Sequence, residues 1–408
     1  MTSGFDPRID PRRAALCGAA LLVAVSLAPL SAWLAPLAFA PVMALAGLLA
    51  LGSLRLESRL LPGLAPLLGA LAWAVASISW SAFRPEDVEG WTALKLVLQL
   101  VVYWSCICAA RAAPPPQRDR ALLVMAVGFG CLGVLFLVEG LSDAFIYKTL
   151  RTLLNDPIRP DLAVKNVAQG GFALAVLAPL ATLAIWRCRP IRWLAAAPLA
   201  GLVVSSIAFG SDAPLLAAGV AVMAALAGLA APVWAPRAAA LGVVAYFMLT
   251  PGLIRLSVDA GLWSWAYERA PLSWSQRMDY WYFALQRIQE RPVLGWGLDA
   301  ARTFTPHIRL HPHDAAIQLW LELGLIGVSF VAAFWAALLL RLSSPERSLS
   351  RASSLASAGV YLVFAAVSFG VWQEWWLAVG AMAAMAATLL EKAEAYQKSS
   401  STAQGLSV

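Results

Sequence analysis

The chain has 408 residues, of which 61% are hydrophobic and 13% charged, and its mean hydropathy is +0.72. A soluble domain carries about 25% charged residues, so the composition excludes an ordinary soluble protein. The net charge of +7 is spread over the loops between apolar runs, which does not favour a nucleic-acid-binding protein. Apolar runs of about 18 or more residues recur along the chain, and such spans are helical because helices satisfy their own backbone groups. The predicted fold is an all-α polytopic membrane protein.

The apolar runs predict about twelve transmembrane helices. They cover residues 14–30, 33–52, 62–80, 93–110, 121–142, 168–186, 193–210, 213–231, 238–254, 314–340, 354–371 and 374–390. The first run follows three arginines and resembles a secretory signal sequence, but the next apolar run follows at once. This proximity favours a retained first helix.

The five cysteines lie within or at the ends of apolar runs: Cys17, Cys106, Cys108, Cys131 and Cys188. Their spacing contains neither a disulfide framework nor a zinc-binding pattern. We interpret them as small membrane-embedded side chains, and no cofactor motif is present.

Lysine and arginine are concentrated in alternate loops. The basic set comprises Arg8, Arg12, Arg13, Arg55, Arg59, Arg111, Arg118, Arg120, Arg187, Arg189, Arg192, Arg237, Arg341, Arg347, Arg351, Lys392 and Lys398. The other short loops hold only Arg84, among three acidic residues. Because basic loops remain on the cytoplasmic side of a membrane, both termini are predicted to be cytoplasmic. Residues 391–408 are predicted to form a polar tail there.

Two segments on the predicted outer side are basic, against this rule. The segment 142–168 holds Lys148, Arg151, Arg159 and Lys165, and the segment 255–312 holds Arg255, Arg269, Arg277, Arg287, Arg291, Arg302 and Arg309. The functional interpretation is an anion site on the outer face. The alternative is solvated loop charge, since acidic residues nearly balance the longer segment.

The longer segment is predicted to contain an amphipathic helix over Ser275–Arg291, where Met278, Trp281, Leu285 and Ile288 recur at helical spacing. Pro292 is expected to end it. Such a helix could lie on the membrane surface or cover a cavity. Gly295 and Gly297 then predict a turn.

All three histidines of the chain, His307, His311 and His313, lie just before the tenth predicted span. Two histidines four residues apart can share a metal ion only on a helix, and Pro312 disfavours helix at His311. Asp314 can instead cap the helix that follows, which places His313 at the positive end of a helix dipole. A histidine there is disfavoured as a cation and could serve as a general base beside an anion site. The alternative is an ordinary interfacial histidine.

Gln318 and Glu322 follow Asp314 by four and eight residues and share one face of the same helix. A charged group inside a membrane span is costly, so Glu322 should not face lipid. It is expected to be neutral, or paired with an arginine or a lysine in a structural role.

Residues 273–304, SWSQRMDYWYFALQRIQERPVLGWGLDAARTF, and 311–327, HPHDAAIQLWLELGLIG, resemble the signature region of the O-antigen ligase and O-antigen polymerase superfamily. The positions that match that pattern are Arg277, Trp281, Pro292, Gly295, Gly297, His313, Glu322, Gly324 and Gly327. The resemblance also fits the topology: nine spans over 1–254, a large periplasmic loop over 255–313, three spans over 314–390 and the tail.

The resemblance implies a metal-independent, inverting glycosyltransferase in the bacterial inner membrane, with its site facing the periplasm. The donor would be a glycan on undecaprenyl pyrophosphate, and the acceptor would be lipid A–core or another glycan. His313 would be catalytic, and basic residues would hold the pyrophosphate. The candidates for binding are Arg277, Arg302, Arg309, Arg159, Lys165, Lys95 and His311, and those for structural support are Asp314, Glu322, Gly295, Gly297 and Trp281.

The chain departs from the family pattern at two positions. The asparagine that follows the motif histidine is Asp314 here, and an arginine that often begins a middle span is replaced by Asp212. Lys95, Arg159, Lys165, Arg302 or Arg309 could take over the role of that arginine.

Three functions remain open from the sequence. A ligase and a polymerase or protein O-oligosaccharyltransferase of the same superfamily would share the donor. A transporter of lipid-linked sugars is less favoured, because no repeated halves joined by a long cytoplasmic linker are visible.

Overall fold

The computed structural model describes residues 11–57 and 61–405. Arg8 and Arg59, which the topology prediction used, lie outside these residues. All regular elements of the described residues are helical. The α-helices are α1 (Pro11–Leu34), α2 (Phe39–Leu49), α3 (Leu61–Ser77), α4 (Thr92–Ala112), α5 (Pro115–Leu141), α6 (Phe145–Leu153), α7 (Pro160–Arg187), α8 (Ala197–Ala208), α9 (Asp212–Ala230), α10 (Trp234–Asp259), α11 (Leu262–Arg269), α12 (Leu272–Glu290), α13 (Ala315–Leu340), α14 (Leu349–Val367) and α15 (Glu374–Gly405).

Ten helical segments of the described chain are long and apolar enough to cross a membrane, as expected of a polytopic membrane protein. The predicted spans 33–52 and 62–80 correspond to the shorter helices α2 and α3, of 11 and 17 residues. At a rise of about 1.5 Å per residue, α2 covers only roughly 17 Å of a hydrocarbon core about 30 Å thick. The number of complete spans therefore remains a prediction.

The last helix is longer than its apolar pattern indicates. α15 continues to Gly405, past residue 390, where the last span was predicted to end and the polar tail to begin. Hydropathy locates the apolar part of a helix, but it does not detect a polar continuation of the same helix.

The helices pack closely where small residues meet. A Cβ atom added to Gly201 of α8 would lie 2.0 Å from the carbonyl oxygen of Gly133 in α5. Close approach of backbones through small residues is typical of helix packing in membranes, where dispersion forces replace the hydrophobic effect.

The predicted amphipathic helix is confirmed as α12, which ends at Glu290, two residues before Pro292. Its buried residues include Ala284 and Ile288, which pack in one apolar cluster with Ile317 and Leu321 of α13. α12 therefore covers the beginning of α13 with its apolar face.

α13 is interrupted at Gly324, whose φ of +61° and ψ of −164° are not helical. The turn that contains Gly295 fills the interruption, because a Cβ atom on Gly295 would lie 2.4 Å from the carbonyl oxygen of Glu322. Both Gly295 and Gly297 have positive φ, which confirms the predicted turn.

The backbone groups released by this interruption bond to the same turn. The N–H groups of Trp296, Gly297 and Leu325 donate to the carbonyl oxygens of Leu321 (2.8 Å), Glu322 (2.7 Å) and Pro292 (2.9 Å), respectively. Irregular backbone at membrane depth is tolerated where protein satisfies its polar groups, as here. The turn thus fixes the first part of α13, which carries the candidate site.

Candidate active site

Two of the three histidines lie together at the beginning of α13. The ring centroids of His311 and His313 are 4.3 Å apart. His307 is exposed and stacks instead on Phe283, with a centroid distance of 4.4 Å. Among the described residues, no group of three histidine, cysteine, aspartate or glutamate side chains is arranged to hold a metal ion.

Asp314 caps α13, as the sequence predicted. Its Oδ1 accepts hydrogen bonds from the Ile317 N–H (2.8 Å) and from the Tyr246 hydroxyl (3.1 Å). The cap leaves His313 as the residue that precedes the first helical turn. His313 itself has a φ of +59°, in the left-handed region that non-glycine residues rarely adopt.

The hydrogen bond of His313 defines its neutral tautomer. Nδ1 lies 2.8 Å from the carbonyl oxygen of Ser368, which can only accept, so Nδ1 carries the proton. The lone pair is then on Nε2. Burial lowers the pKa of His313 and the charge of Arg277 lowers it further, against the opposing effect of the Ser368 carbonyl. This arrangement favours a neutral imidazole with one nitrogen able to accept a proton.

His311 is more deeply buried, with 6% of its surface exposed. Its Nδ1 accepts the backbone N–H of His313 (3.2 Å), and its Nε2 lies 3.2 Å from the side-chain amide of Gln373. Burial lowers the pKa of His311 to about 3, and the neighbouring His313 ring and the guanidinium groups of Arg302 and Arg277 act in the same direction. His311 is therefore uncharged at neutral pH and hydrogen-bonded within the protein.

α12 contributes an indole and a guanidinium beside the histidines. Trp281 donates its Nε1–H to the carbonyl oxygen of Pro312 (2.8 Å), which ties α12 to the backbone between the two histidines. Arg277 lies one turn earlier on α12, half-buried, with its guanidinium 5.2 Å from the ring centroid of Trp274. No carboxylate of the described chain forms an ion pair with Arg277.

A cavity of about 430 Å³ adjoins His311. Its polar lining comprises Thr92, Lys95, Gln99, Asp299, Arg302, His311, Gln318, Gln373 and Glu374. Lys95 forms an ion pair with Glu374. Arg302 lies 3.4 Å from the buried carboxylate of Asp299. The cavity therefore combines two cations, each next to an acidic partner, with amide and hydroxyl groups.

Of the basic residues considered for the role of the family arginine, Lys95 and Arg302 line this cavity. Arg309 and Lys165 are exposed and do not line it, and Arg159 is exposed in an ion pair with Asp161 (2.6 Å). Of the five candidates, only Lys95 and Arg302 therefore lie at the cavity, and each already has an acidic neighbour.

Glu322 is fully buried and bonded to neutral donors: the Trp372 indole, the Gln318 amide (3.2 Å) and the Asp299 N–H (3.2 Å). Of the two settings that the sequence left open, pairing with an arginine or lysine does not occur among the described residues. The carboxylate of Glu322 instead joins α13 to the turn at Asp299.

The segment from Ser368 to Gln373, between α14 and α15, was not predicted to contribute. It bonds to the beginning of α13 through four pairs: Ser368 with His313, Val371 with Gln318, Trp372 with Glu322, and Gln373 with His311. The sequence signal was the polar pair Gln373-Glu374 between tryptophans, where two predicted spans almost touch. Asp299 was also missed, although it follows the turn at Gly297 directly.

No protein-family model matches the chain. Curated relatives carry the name "Putative polysaccharide ligase". One from Rickettsia conorii is 25% identical over 294 residues, which cover 68% of this chain and 69% of the relative. Another, from Rickettsia felis, is 26% identical over 132 residues, covering 29% of this chain and 32% of the relative. A third, from Rickettsia bellii, is 29% identical over 119 residues, covering 26% and 29%. The chain is thus a homologue of proteins named as polysaccharide ligases, which supports the resemblance to O-antigen ligases that its motifs indicated.

Proposed function

We propose that this protein is a ligase-type membrane glycosyltransferase, which transfers a glycan from undecaprenyl pyrophosphate to a hydroxyl group of lipid A–core. The observation that carries the proposal is the setting of His313. Its Nδ1 is fixed on the Ser368 carbonyl, its Nε2 is left as an acceptor, and it stands at the positive end of α13. The names of the relatives agree with this class of reaction.

In the proposed step, Nε2 of His313 removes the proton of the acceptor hydroxyl as the hydroxyl oxygen attacks the anomeric carbon of the glycan. The new bond joins that carbon to the acceptor oxygen. The bond to the phosphate oxygen breaks on the opposite side, so the configuration inverts. Undecaprenyl pyrophosphate leaves with the electron pair, and the imidazolium later releases its proton to water. No metal ion takes part.

Three cations could bind the pyrophosphate. Arg277 lies close enough to lower the pKa of both histidines and has no acidic partner among the described residues. Lys95 and Arg302 line the cavity together with His311. Basic groups and a helix N-terminus together favour phosphate binding.

The site is proposed to face the periplasm of the inner membrane. α15 begins at Glu374 in the cavity wall, and Lys392 follows 18 residues later, about 27 Å along the helix axis. There Arg118, in the basic first turn of α5, donates to the Lys392 carbonyl oxygen (3.3 Å). Because basic loops remain cytoplasmic, the opposite end of α15 and the cavity would face outward.

A polymerase or a protein O-oligosaccharyltransferase would use the same donor chemistry with a different acceptor. The replacement of the family arginine by Asp212 leaves room for these alternatives. A transporter of lipid-linked sugars would need the cations but no base with a fixed tautomer.

A deletion strain tests the function in the cell. Lipopolysaccharide gels would compare the strain complemented with wild type, His313→Ala or His307→Ala. His307 is the matched control, because it is exposed and stacks on Phe283 away from the pair. We expect a ladder with wild type and His307→Ala and none with equally expressed His313→Ala, with unligated polymer left on the carrier lipid. Lipid A–core carrying at most one repeat would indicate a polymerase, and a ladder untouched by deletion would contradict the proposal.

A further inference from the structure

His311 lines the cavity while His313, whose ring centroid is 4.3 Å away, does not, and the proposed reaction gives His311 no role. It is the buried histidine of the pair, and its low pKa keeps it uncharged. An uncharged ring contributes no ionic attraction to a phosphate. The hydrogen bonds of His311 indicate a role other than phosphate binding.

Nδ1 of His311 accepts the N–H of the residue two positions later, His313. Asparagine and aspartate side chains commonly make this i to i+2 contact in Asx turns. The contact is made at the residue whose φ is +59°. A left-handed conformation is unfavourable for a non-glycine residue, so it persists only where its surroundings hold it.

The ring of His311 is itself held in place. A Cβ atom on Gly370 would lie 2.9 Å from Cγ and Cδ2 of the ring, so the backbone there lies directly against the ring. Because Nδ1 accepts a hydrogen bond, the neutral ring carries its proton on Nε2. The side-chain amide of Gln373 lies beside Nε2. Its oxygen is otherwise buried without a hydrogen-bond partner, and it accepts the Nε2–H when the amide is oriented with this oxygen toward the ring.

We propose that His311 is a positioning residue for glycan transfer: by accepting the His313 N–H, it holds His313 in the left-handed conformation that keeps Nδ1 on Ser368 and presents Nε2 to the acceptor hydroxyl. This inference rests on the proposed function. It assigns His311 an effect on turnover and little effect on the binding of the donor.

Two substitutions distinguish the hydrogen bond at Nδ1 of His311 from the one at Nε2. The oxygen of asparagine in His311→Asn can occupy the place of Nδ1 and accept the His313 N–H, as in an Asx turn. The amide of glutamine in His311→Gln reaches the place of Nε2 and Gln373 instead. His311→Ala removes both contacts, and His307→Ala is the control in the same segment.

Kinetics of the purified protein in nanodiscs would use the lipid-linked glycan extracted from the deletion strain as donor and lipid A–core as acceptor. We expect His311→Asn to keep kcat within about threefold of wild type. His311→Ala and His311→Gln should lower kcat by about 10–100-fold, with the KM for the donor nearly unchanged, because small misplacements of a reacting group have effects of this size. Gly370→Ala, which presses on the ring without changing it, should lower kcat in the same way.

Equal losses in all three His311 variants would overturn the positioning role, as would a change confined to the KM for the donor. Thermal unfolding of each variant checks folding, and Gly370→Ala keeps the test decisive if His311→Ala does not fold. A fully active His313→Ala would overturn the proposed base itself. An inactive His313→Ala beside fully active His311 variants would overturn this inference alone.

Discussion

Two glutamates are fully buried within long apolar helices, Glu139 in α5 and Glu322 in α13, and their surroundings differ. Both accept hydrogen bonds from a tryptophan indole and from at least one backbone N–H group. Around Glu139 the donors are the indole of Trp33 (2.9 Å) and the N–H groups of Ile146 (3.1 Å) and Tyr147 (2.8 Å). These bonds cap the beginning of α6, and Glu139 does not line the cavity.

The region around Glu322 uses similar bonds in a different setting. Its neighbours Gln318 and Asp299 also line the cavity, and Trp372 belongs to the segment that holds both histidines. Burial of a carboxyl group in a membrane span is therefore not by itself a sign of catalysis. What distinguishes the two regions is whether polar groups beside the carboxylate face a space that a substrate can enter.

The largest expected effect concerns His313, the proposed base, which lies beside the Glu322 region. His313→Ala should lower turnover by about 10²–10⁴-fold, since general base catalysis contributes effects of this size. The free energy of unfolding should change little, because the half-buried ring makes one hydrogen bond to Ser368. Single-turnover transfer and thermal unfolding of the purified protein measure the two quantities. Turnover within a few-fold of wild type would remove His313 from the mechanism.

Arg277→Ala is expected to weaken donor binding, because it removes the cation of the site that has no acidic partner among the described residues. We expect the KM for the donor to rise about tenfold or more, in line with the loss of a charge-assisted contact. Arg269→Ala is the control, since Arg269 is an exposed cation over Trp265 on the neighbouring α11. Equal effects of both substitutions would indicate general electrostatic attraction rather than a binding contact.

The pH dependence of kcat/KM should report the titration of His313. Burial lowers its pKa below the usual value of about 6.5, so the base remains active at neutral pH. Below the lowered pKa the protonated ring cannot accept a proton, and the rate should fall about tenfold per pH unit. A fall that begins above about pH 6.5 would contradict this assignment.

The smallest expected effects are those of replacing each glutamate by glutamine, and they should distinguish a purely structural glutamate from one beside the candidate site. Glu139→Gln is expected to destabilise the protein by about 1–3 kcal/mol, because an amide NH₂ would face the donors at α6, while turnover per folded molecule stays unchanged. Glu322→Gln should both destabilise the protein and lower turnover several-fold, since it loosens the contacts of Asp299 and Trp372. Thermal unfolding and turnover of both variants provide the comparison. Identical profiles would mean that both glutamates are purely structural.

Local patterns predicted local features correctly. The recurrence of apolar residues at helical spacing located α12, and Asp314 before an apolar run identified the helix cap. Each of these depends on residues within a few positions of one another, which is the range that periodicity and capping rules cover.

Features that depend on distant contacts could not be predicted in this way. The interruption of α13 at Gly324 requires the turn at Gly295 to supply hydrogen bonds, and the same sequence reads as a continuous apolar helix. The contact of Trp372 with Glu322 joins residues 50 positions apart. The tautomer of His313 likewise depends on Ser368, 55 residues away, so the sequence indicated a neutral histidine but not which of its nitrogens is free to accept a proton.

We propose that the protein moves a glycan from a lipid carrier to an acceptor. The most direct measurement uses wild-type protein in nanodiscs with radiolabelled glycan on undecaprenyl pyrophosphate and unlabelled lipid A–core. We expect the label to move to lipid A–core only when protein and acceptor are both present, with release of undecaprenyl pyrophosphate. A label that stays on the carrier, while vesicles containing the protein move the lipid-linked glycan between leaflets, would contradict the account and favour a transporter.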